Sequence, residues 1–167
     1  MKKTICLLVL LMSLATTSFE QNQKKDSLPV YVQHPAIPSF SLLTTDSTSF
    51  SDANLPKNRP VVIIYFSPEC SHCQAEAKLI VQHIDSLKNA VFVWASYHPM
   101  NQIKEFAKTC GLDKFDNMIL GRDLKYFIPA YYTVTQTPFM AIYNREAQFI
   151  KEFREGAKSE ELIPLLK

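Results

Sequence analysis

Residues 61–66, VVIIYF, are apolar without interruption and rich in β-branched side chains. That is the pattern of a strand covered on both faces. Residues 91–95, VFVWA, repeat it and predict a second buried strand. Between them the pattern changes period: Cys73, Ala77, Ile80, Ile84 and Leu87 step by four, three, four and three, which marks one face of a helix running to about Lys88. A second helix follows residues 91–95, with Pro99 near its first position and Gly111 just past its end. Its apolar face carries Ile103, Phe106, Ala107 and Cys110. Downstream, residues 117–120 read as a short strand and 124–132 as a turn or irregular helix. Residues 139–143 and 148–153 read as strands joined by Asn144, Arg145 and Glu146. Ser159 is expected to cap a last helix whose first turn holds Glu160 and Glu161, and which Pro164 shortens or bends. Upstream, residues 40–44 and 48–51 predict a hairpin about Asp46-Ser47. The order predicts an α/β fold, a mixed sheet with helices on both faces.

The amino-terminal stretch has another pattern. Lys2 and Lys3 precede an apolar run over residues 5–14 that is broken only at Ser13, and small residues follow. This predicts an export signal over residues 1–19, ahead of a polar leader or linker over 20–37 and one domain over 38–167. The apolar run is well short of the roughly 20 residues that cross a bilayer, so no stable membrane anchor is expected. Cys6 lies inside that run, too early to be a lipid-modified first residue. Of 18 basic residues two belong to the signal, which leaves 16 against 16 acidic ones. A near-neutral chain without a Lys/Arg cluster excludes nucleic acid as the expected partner. An exported chain without Cys6 keeps Cys70, Cys73 and Cys110, an odd number in an oxidising compartment. Cys110, on the apolar helix face, is expected to pack as a small hydrophobe.

The candidate chemistry sits in the segment FSPECSHCQAE, where Cys70 and Cys73 fall between the end of a buried strand and the first turn of a helix. Functional groups in such sheets gather beyond the carboxyl ends of the strands. Unpaired N–H groups at the helix start favour an anion there, and the reactive form of cysteine is the thiolate. Residues three apart at a helix start also meet the Cα separation of about 4.4–6.8 Å that a disulfide tolerates. Cys70 is at the mouth of the helix and Cys73 within it. His72 can add positive charge beside Cys70 when protonated. Glu76, one turn past Cys73, shares its helix face and is placed to move a proton to or from it, more so if burial raises its pKa. Further on, Thr137-Pro138 precedes a strand. X-Pro is the linkage for which a cis bond is cheap. A cis bond there would turn the Thr137 backbone toward a bound chain, whereas a trans proline would merely open an edge strand.

These segments, YFSPECSHCQAE and Thr137-Pro138, resemble the thioredoxin superfamily, and within it the exported thiol-disulfide oxidoreductases of the TlpA and ResA type. The resemblance covers about residues 38–167 in element order, the amino-terminal hairpin included. It implies a thioredoxin-like fold with a central mixed sheet, Cys70 attacking, Cys73 resolving, Pro138 as the cis-proline facing the pair, and Glu76 as an acid after the second cysteine. Two departures stand out. Glu69 replaces the tryptophan usual before the first cysteine, and Ile64 occupies the place six before Cys70 that is acidic in many thioredoxins.

Three other readings use the same residues. Cys70 and Cys73, with His83 or His98, make a thiolate-rich set suited to Cu(I), although structural zinc would need four ligands and the chain has one Cys-X-X-Cys. Ser67, three residues before Cys70, matches one position of the peroxiredoxin motif, while Pro68 and Glu69 do not match the rest. A permanently closed pair in a non-catalytic domain is the third. Ser96, Tyr97 and His98 follow the second strand and either border the site or form a plain loop. The sequence favours a thiol-disulfide oxidoreductase of the periplasm or cell envelope acting on protein thiols and disulfides. It would need no dissociable cofactor and no metal, and sustained reduction would require a membrane electron donor.

Overall fold

The computed structural model describes residues 28–167; the expected signal and most of the expected leader lie outside them. The elements are α1 (Val30–Gln33), β1 (Ser41–Thr44), β2 (Ser49–Ser51), β3 (Val61–Tyr65), α2 (Ser71–Gln82), α3 (Ile84–Leu87), β4 (Val91–Ser96), α4 (Met100–Cys110), β5 (Met118–Arg122), α5 (Phe127–Tyr131), β6 (Phe139–Tyr143), β7 (Phe149–Phe153) and α6 (Ser159–Leu165). The seven strands form one sheet in the order β2-β1-β5-β4-β3-β6-β7. β3, β4 and β5 run parallel, and every other pairing is antiparallel. This is the expected α/β architecture with its amino-terminal hairpin.

β3 and β4 are buried at every position because helices cover both sides of the sheet. Val62, Ile64 and Phe66 face one core together with Cys73, Ala77 and Ile80 of α2 and Ile103, Phe106 and Cys110 of α4. Val61, Ile63 and Tyr65 face the other, with Tyr31, Ile128 and Tyr132. The strand period of two thus divides a continuous apolar run between two layers. Ile64 packs into the first core, where an acid would otherwise need a partner.

Several boundaries differ from the sequence reading for local reasons. The helix expected to reach Lys88 breaks at His83, whose backbone (φ −106°, ψ 18°) leaves the helical region before α3 resumes. The apolar period does not register the break, because Leu87 of α3 still meets the same core as Ile80. Pro99, expected near the start of α4, is its cap residue. Lys158, not Ser159, is the amino-terminal cap residue of α6, and its side chain makes no capping bond among the described residues. α1 falls within the stretch expected to be leader. Tyr31 is 1% exposed, with ring centroids 5.2 Å from both Tyr132 and Phe149. Its hydroxyl accepts a hydrogen bond from Arg154 at 3.0 Å. Burying a ring of this size stabilises the attachment by about 2 kcal/mol, so the folded body reaches back past residue 38.

Candidate active site

Phe66 ends the β3 segment by donating its N–H to Ala95 O at 3.0 Å. Ser67, Pro68 and Glu69 then turn the chain into α2. Cys70 is the amino-terminal cap residue, with extended backbone (φ −78°, ψ 119°), and its carbonyl accepts the first helical bond from Gln74 N–H at 3.1 Å. Pro68 O accepts from the Gln74 side chain at 3.0 Å, tying the turn to the helix it starts. Cys70 is therefore held half-buried at the carboxyl end of the central strand, and Cys73, one turn on, is fully buried. Both are free thiols.

The two sulfurs differ in character. Partial burial opposes ionisation of Cys70, but it is outweighed by hydrogen bonding from the Cys73 N–H and thiol, from the Thr137 side chain and from the His72 N–H, and the net effect holds its pKa below the ordinary thiol value. The main-chain donors are those a helix start leaves unpaired. Burial pushes the Cys73 thiol up to about 12, against an opposing contribution from the Ser67 N–H. Cys70 is accessible and disposed to ionise; Cys73 keeps its proton until something removes it.

Glu76 is on the buried face of α2 with Cys73, 7% exposed. Burial raises its carboxyl to about 7, opposed by a hydrogen bond from Ala157 N–H to Oε2 at 2.9 Å. The other oxygen, Oε1, is buried without a partner among the described residues. Gly156 closes this pocket. Its φ of 87° lies in the left-handed region, and a Cβ there would stand 2.4 Å from Glu76 Oε2 and 3.4 Å from Pro138 Cγ. Only glycine fits beside the carboxylate.

The Thr137–Pro138 peptide is cis. Thr137 O lies 3.5 Å from Cys70 Sγ and accepts its thiol hydrogen. His72 is exposed and lines a cleft of about 280 Å³ with Gln136, Thr137, Pro138 and Glu155. Gln136 bonds Glu155 across it at 2.8 Å. The structure thus gathers Cys70, Cys73, Glu76, His72, Thr137 and Pro138 at one end of the sheet. A roomier cleft, about 470 Å³, lies at the other end of β3, by Val61 and Ala147, and holds none of them.

Two features escaped the sequence. Gly156 and Ala157 set the environment of Glu76; the one available signal was that Gly156 is among only three glycines in the chain. The other is the anchoring of His98, which the sequence offered as a copper ligand or as a residue bordering the site but not as a partner of Ser67: its Nε2 is 3.2 Å from Ser67 Oγ and its Nδ1 is 2.9 Å from Gln102 Oε1. That placement does not suit the copper reading, because both ring nitrogens are occupied. Among the described residues, no group of three or more His, Cys, Asp or Glu side chains is arranged to hold a metal ion. Nor is any described helix long and apolar enough to cross a membrane. Cys110 is 5% exposed and packs in the core on α4.

No protein-family model and no curated protein sequence matches the chain. Solved structures do. A secreted Mycobacterium tuberculosis disulfide oxidoreductase homologous to E. coli DsbE is 22% identical, with a TM-score of 0.64, over 75% of this chain and 92% of that one. StoA from Bacillus subtilis is 17% identical, with a TM-score of 0.59, over 78% and 98%. The peroxidoxin BcpB from Mycobacterium tuberculosis is 15% identical, with a TM-score of 0.65, over 78% and 92%. These likenesses establish a thioredoxin-like fold. That a disulfide oxidoreductase and a peroxidoxin share it means the chemistry has to be argued from the site.

Proposed function

We propose that the protein is a thiol-disulfide oxidoreductase that exchanges disulfides with cysteines of cell-envelope proteins. The observation that carries the reading is the asymmetry of the two thiols, an accessible Cys70 with lowered pKa beside a buried Cys73 with raised pKa. In the reducing direction the Cys70 thiolate attacks one sulfur of a partner disulfide. A Cys70–partner disulfide forms and the other partner sulfur leaves as a thiolate, which takes up a proton. Cys73 gives its proton to the Glu76 carboxylate and attacks the Cys70 sulfur. The Cys70–Cys73 disulfide closes, the second partner thiol leaves, and two electrons have passed to the partner. The reverse sequence oxidises a partner dithiol. A carboxyl near 7 exists in both protonation states at neutral pH, which suits a group that must both accept and return a proton. Thr137, with its main chain beside Cys70 Sγ, offers hydrogen bonds to the partner segment next to its cysteine.

The amino-terminal pattern of residues 1–19 supports an exported location, as does the DsbE-like neighbour described as secreted. Recycling the pair in the reducing direction there would fall to a membrane electron donor. A peroxidase is less well supported, because Ser67 Oγ is engaged by His98. The test is a peptide disulfide presented to the reduced protein. Cys73→Ser should accumulate a mixed disulfide on Cys70, and Cys70→Ser should form none. Absence of any adduct on Cys73→Ser rejects the proposal.

A further inference from the structure

His98 stands in the turn between β4 and α4, outside the Cys-X-X-Cys segment, and is held from three sides. Its main-chain N–H donates to Ser96 Oγ at 3.3 Å, Nδ1 faces Gln102 Oε1 at 2.9 Å, and Nε2 faces Ser67 Oγ at 3.2 Å. An amide oxygen only accepts, so Nδ1 carries the ring proton, and in the neutral ring Nε2 accepts from the Ser67 hydroxyl. If the ring gains a second proton, Nε2 donates to Ser67 Oγ instead, so the link persists in either state.

Ser67 in turn serves both cysteines through its main chain. Its carbonyl accepts the Cys70 N–H at 3.1 Å. Its N–H acts on the Cys73 sulfur and favours the thiolate there. A shift of Ser67 by a fraction of an ångström therefore alters the presentation of both sulfurs together. His72, by contrast, lies between the cysteines in sequence but is exposed at the cleft.

We infer that His98 is a positioning residue for the cysteine pair: through Ser67 it fixes the main chain from which both sulfurs are presented, and Gln102 fixes His98 from the first turns of α4. The device couples the β4–α4 turn to the strand-to-helix turn of the site. It rests on the exchange reading above for its purpose, though not for its test.

Alkylation of Cys70 by iodoacetamide, followed across pH in the reduced protein, reports how that sulfur is held whether or not exchange occurs. His98→Ala and Ser67→Ala should each slow alkylation at neutral pH by roughly threefold to tenfold, the worth of one hydrogen bond, by moving the profile to higher pH. The double variant should be no slower than either single one, because the two side chains act in one chain of contacts. His98→Gln, whose amide reaches the position of Nε2, should restore most of the rate. Gln102→Ala, which removes only the outer contact, gives the same direction with a smaller shift should His98→Ala fail to fold. Profiles that coincide with wild type, or single effects that add in the double variant, overturn the inference. If wild type fails to exchange with a peptide disulfide while the profiles still shift, the exchange reading falls and the positioning role stands. An exchanging wild type with unshifted variants sinks the positioning role alone.

Discussion

Replacing Glu76 by glutamine removes one ionisation from a buried site while keeping the shape of the side chain. Burial moves that carboxyl from 4.5 to about 7. At about 1.4 kcal/mol per unit, this corresponds to about 3 kcal/mol between folding with the group protonated and folding with it ionised. The sign follows from where the proton is held more tightly. The folded protein keeps it up to about 7, whereas the unfolded chain releases it near 4.5. The stabilisation is full below the unfolded value and is lost as pH rises through the folded one. Glutamine cannot titrate, so its carbonyl accepts from Ala157 N–H at every pH. Its NH₂ group would stand where Oε1 has no partner among the described residues, a constant penalty of about 1–3 kcal/mol. That offset makes the absolute stability of Glu76→Gln uninformative and its pH dependence decisive. Unfolding both reduced proteins in urea from about pH 4 to about pH 8 should show the variant gaining on wild type by about 3 kcal/mol. Most of the gain should fall between 4.5 and 7. In melting temperature each kcal/mol corresponds to about 2–4 °C at this chain length. Ionisation of Cys70 is common to both proteins and cancels in the difference. A difference flat to within about 0.5 kcal/mol would mean that Glu76 titrates as an exposed carboxylate, and the proton relay would lose its physical basis.

Gly156→Ala places a Cβ 2.4 Å from Glu76 Oε2 at a φ of 87°; a cost of about 1–3 kcal/mol in urea unfolding is expected, together with loss of the pH-dependent difference just described. Gly121→Ala drives a Cβ to 2.8 Å from Leu42 Cβ and 3.1 Å from Leu43 O, where β1 lies against β5. It should destabilise by about 1–3 kcal/mol, seen as an earlier urea midpoint. Mass mapping of alkylation in the reduced native protein should find Cys70 modified first and Cys73 and Cys110 protected by burial. The Cys70 rate should rise with pH below the ordinary thiol value of 9.0, because its folded pKa is lowered. Equal rates at all three would refute the asymmetry on which the mechanism turns.

The layers of this fold were legible in the sequence because strand and helix periods write burial directly into residue order. Residues 61–66 announced a strand covered on both faces, and Cys73, Ala77 and Ile80 announced the helix that covers one of them. Legibility failed where the determining contact is remote. Tyr31 looks like part of a polar leader until Tyr132, Phe149 and Arg154, more than a hundred residues away, are brought around it. The break at His83 changes the backbone without changing which face Leu87 presents, so the apolar pattern carries no trace of it.

The site divides along the same line. Cys70, Cys73 and Glu76 lie on one helix start, so spacing alone put them together and suggested that burial would act on the carboxyl. What sets the state of each group comes from elsewhere in the chain. Gly156 and Ala157 close over Glu76 from the segment after β7, Thr137 reaches Cys70 Sγ from the start of β6, and His98 holds Ser67 from the end of β4. Each of these comes from a segment adjoining an end of β4, β6 or β7, which the sheet draws toward the carboxyl end of β3. The motif therefore specifies which atoms react, while the sheet order specifies how readily they do so. It follows that variants at 156, 98 and 67, all outside the Cys-X-X-Cys segment, should move proton affinity and thiol acidity without replacing either cysteine.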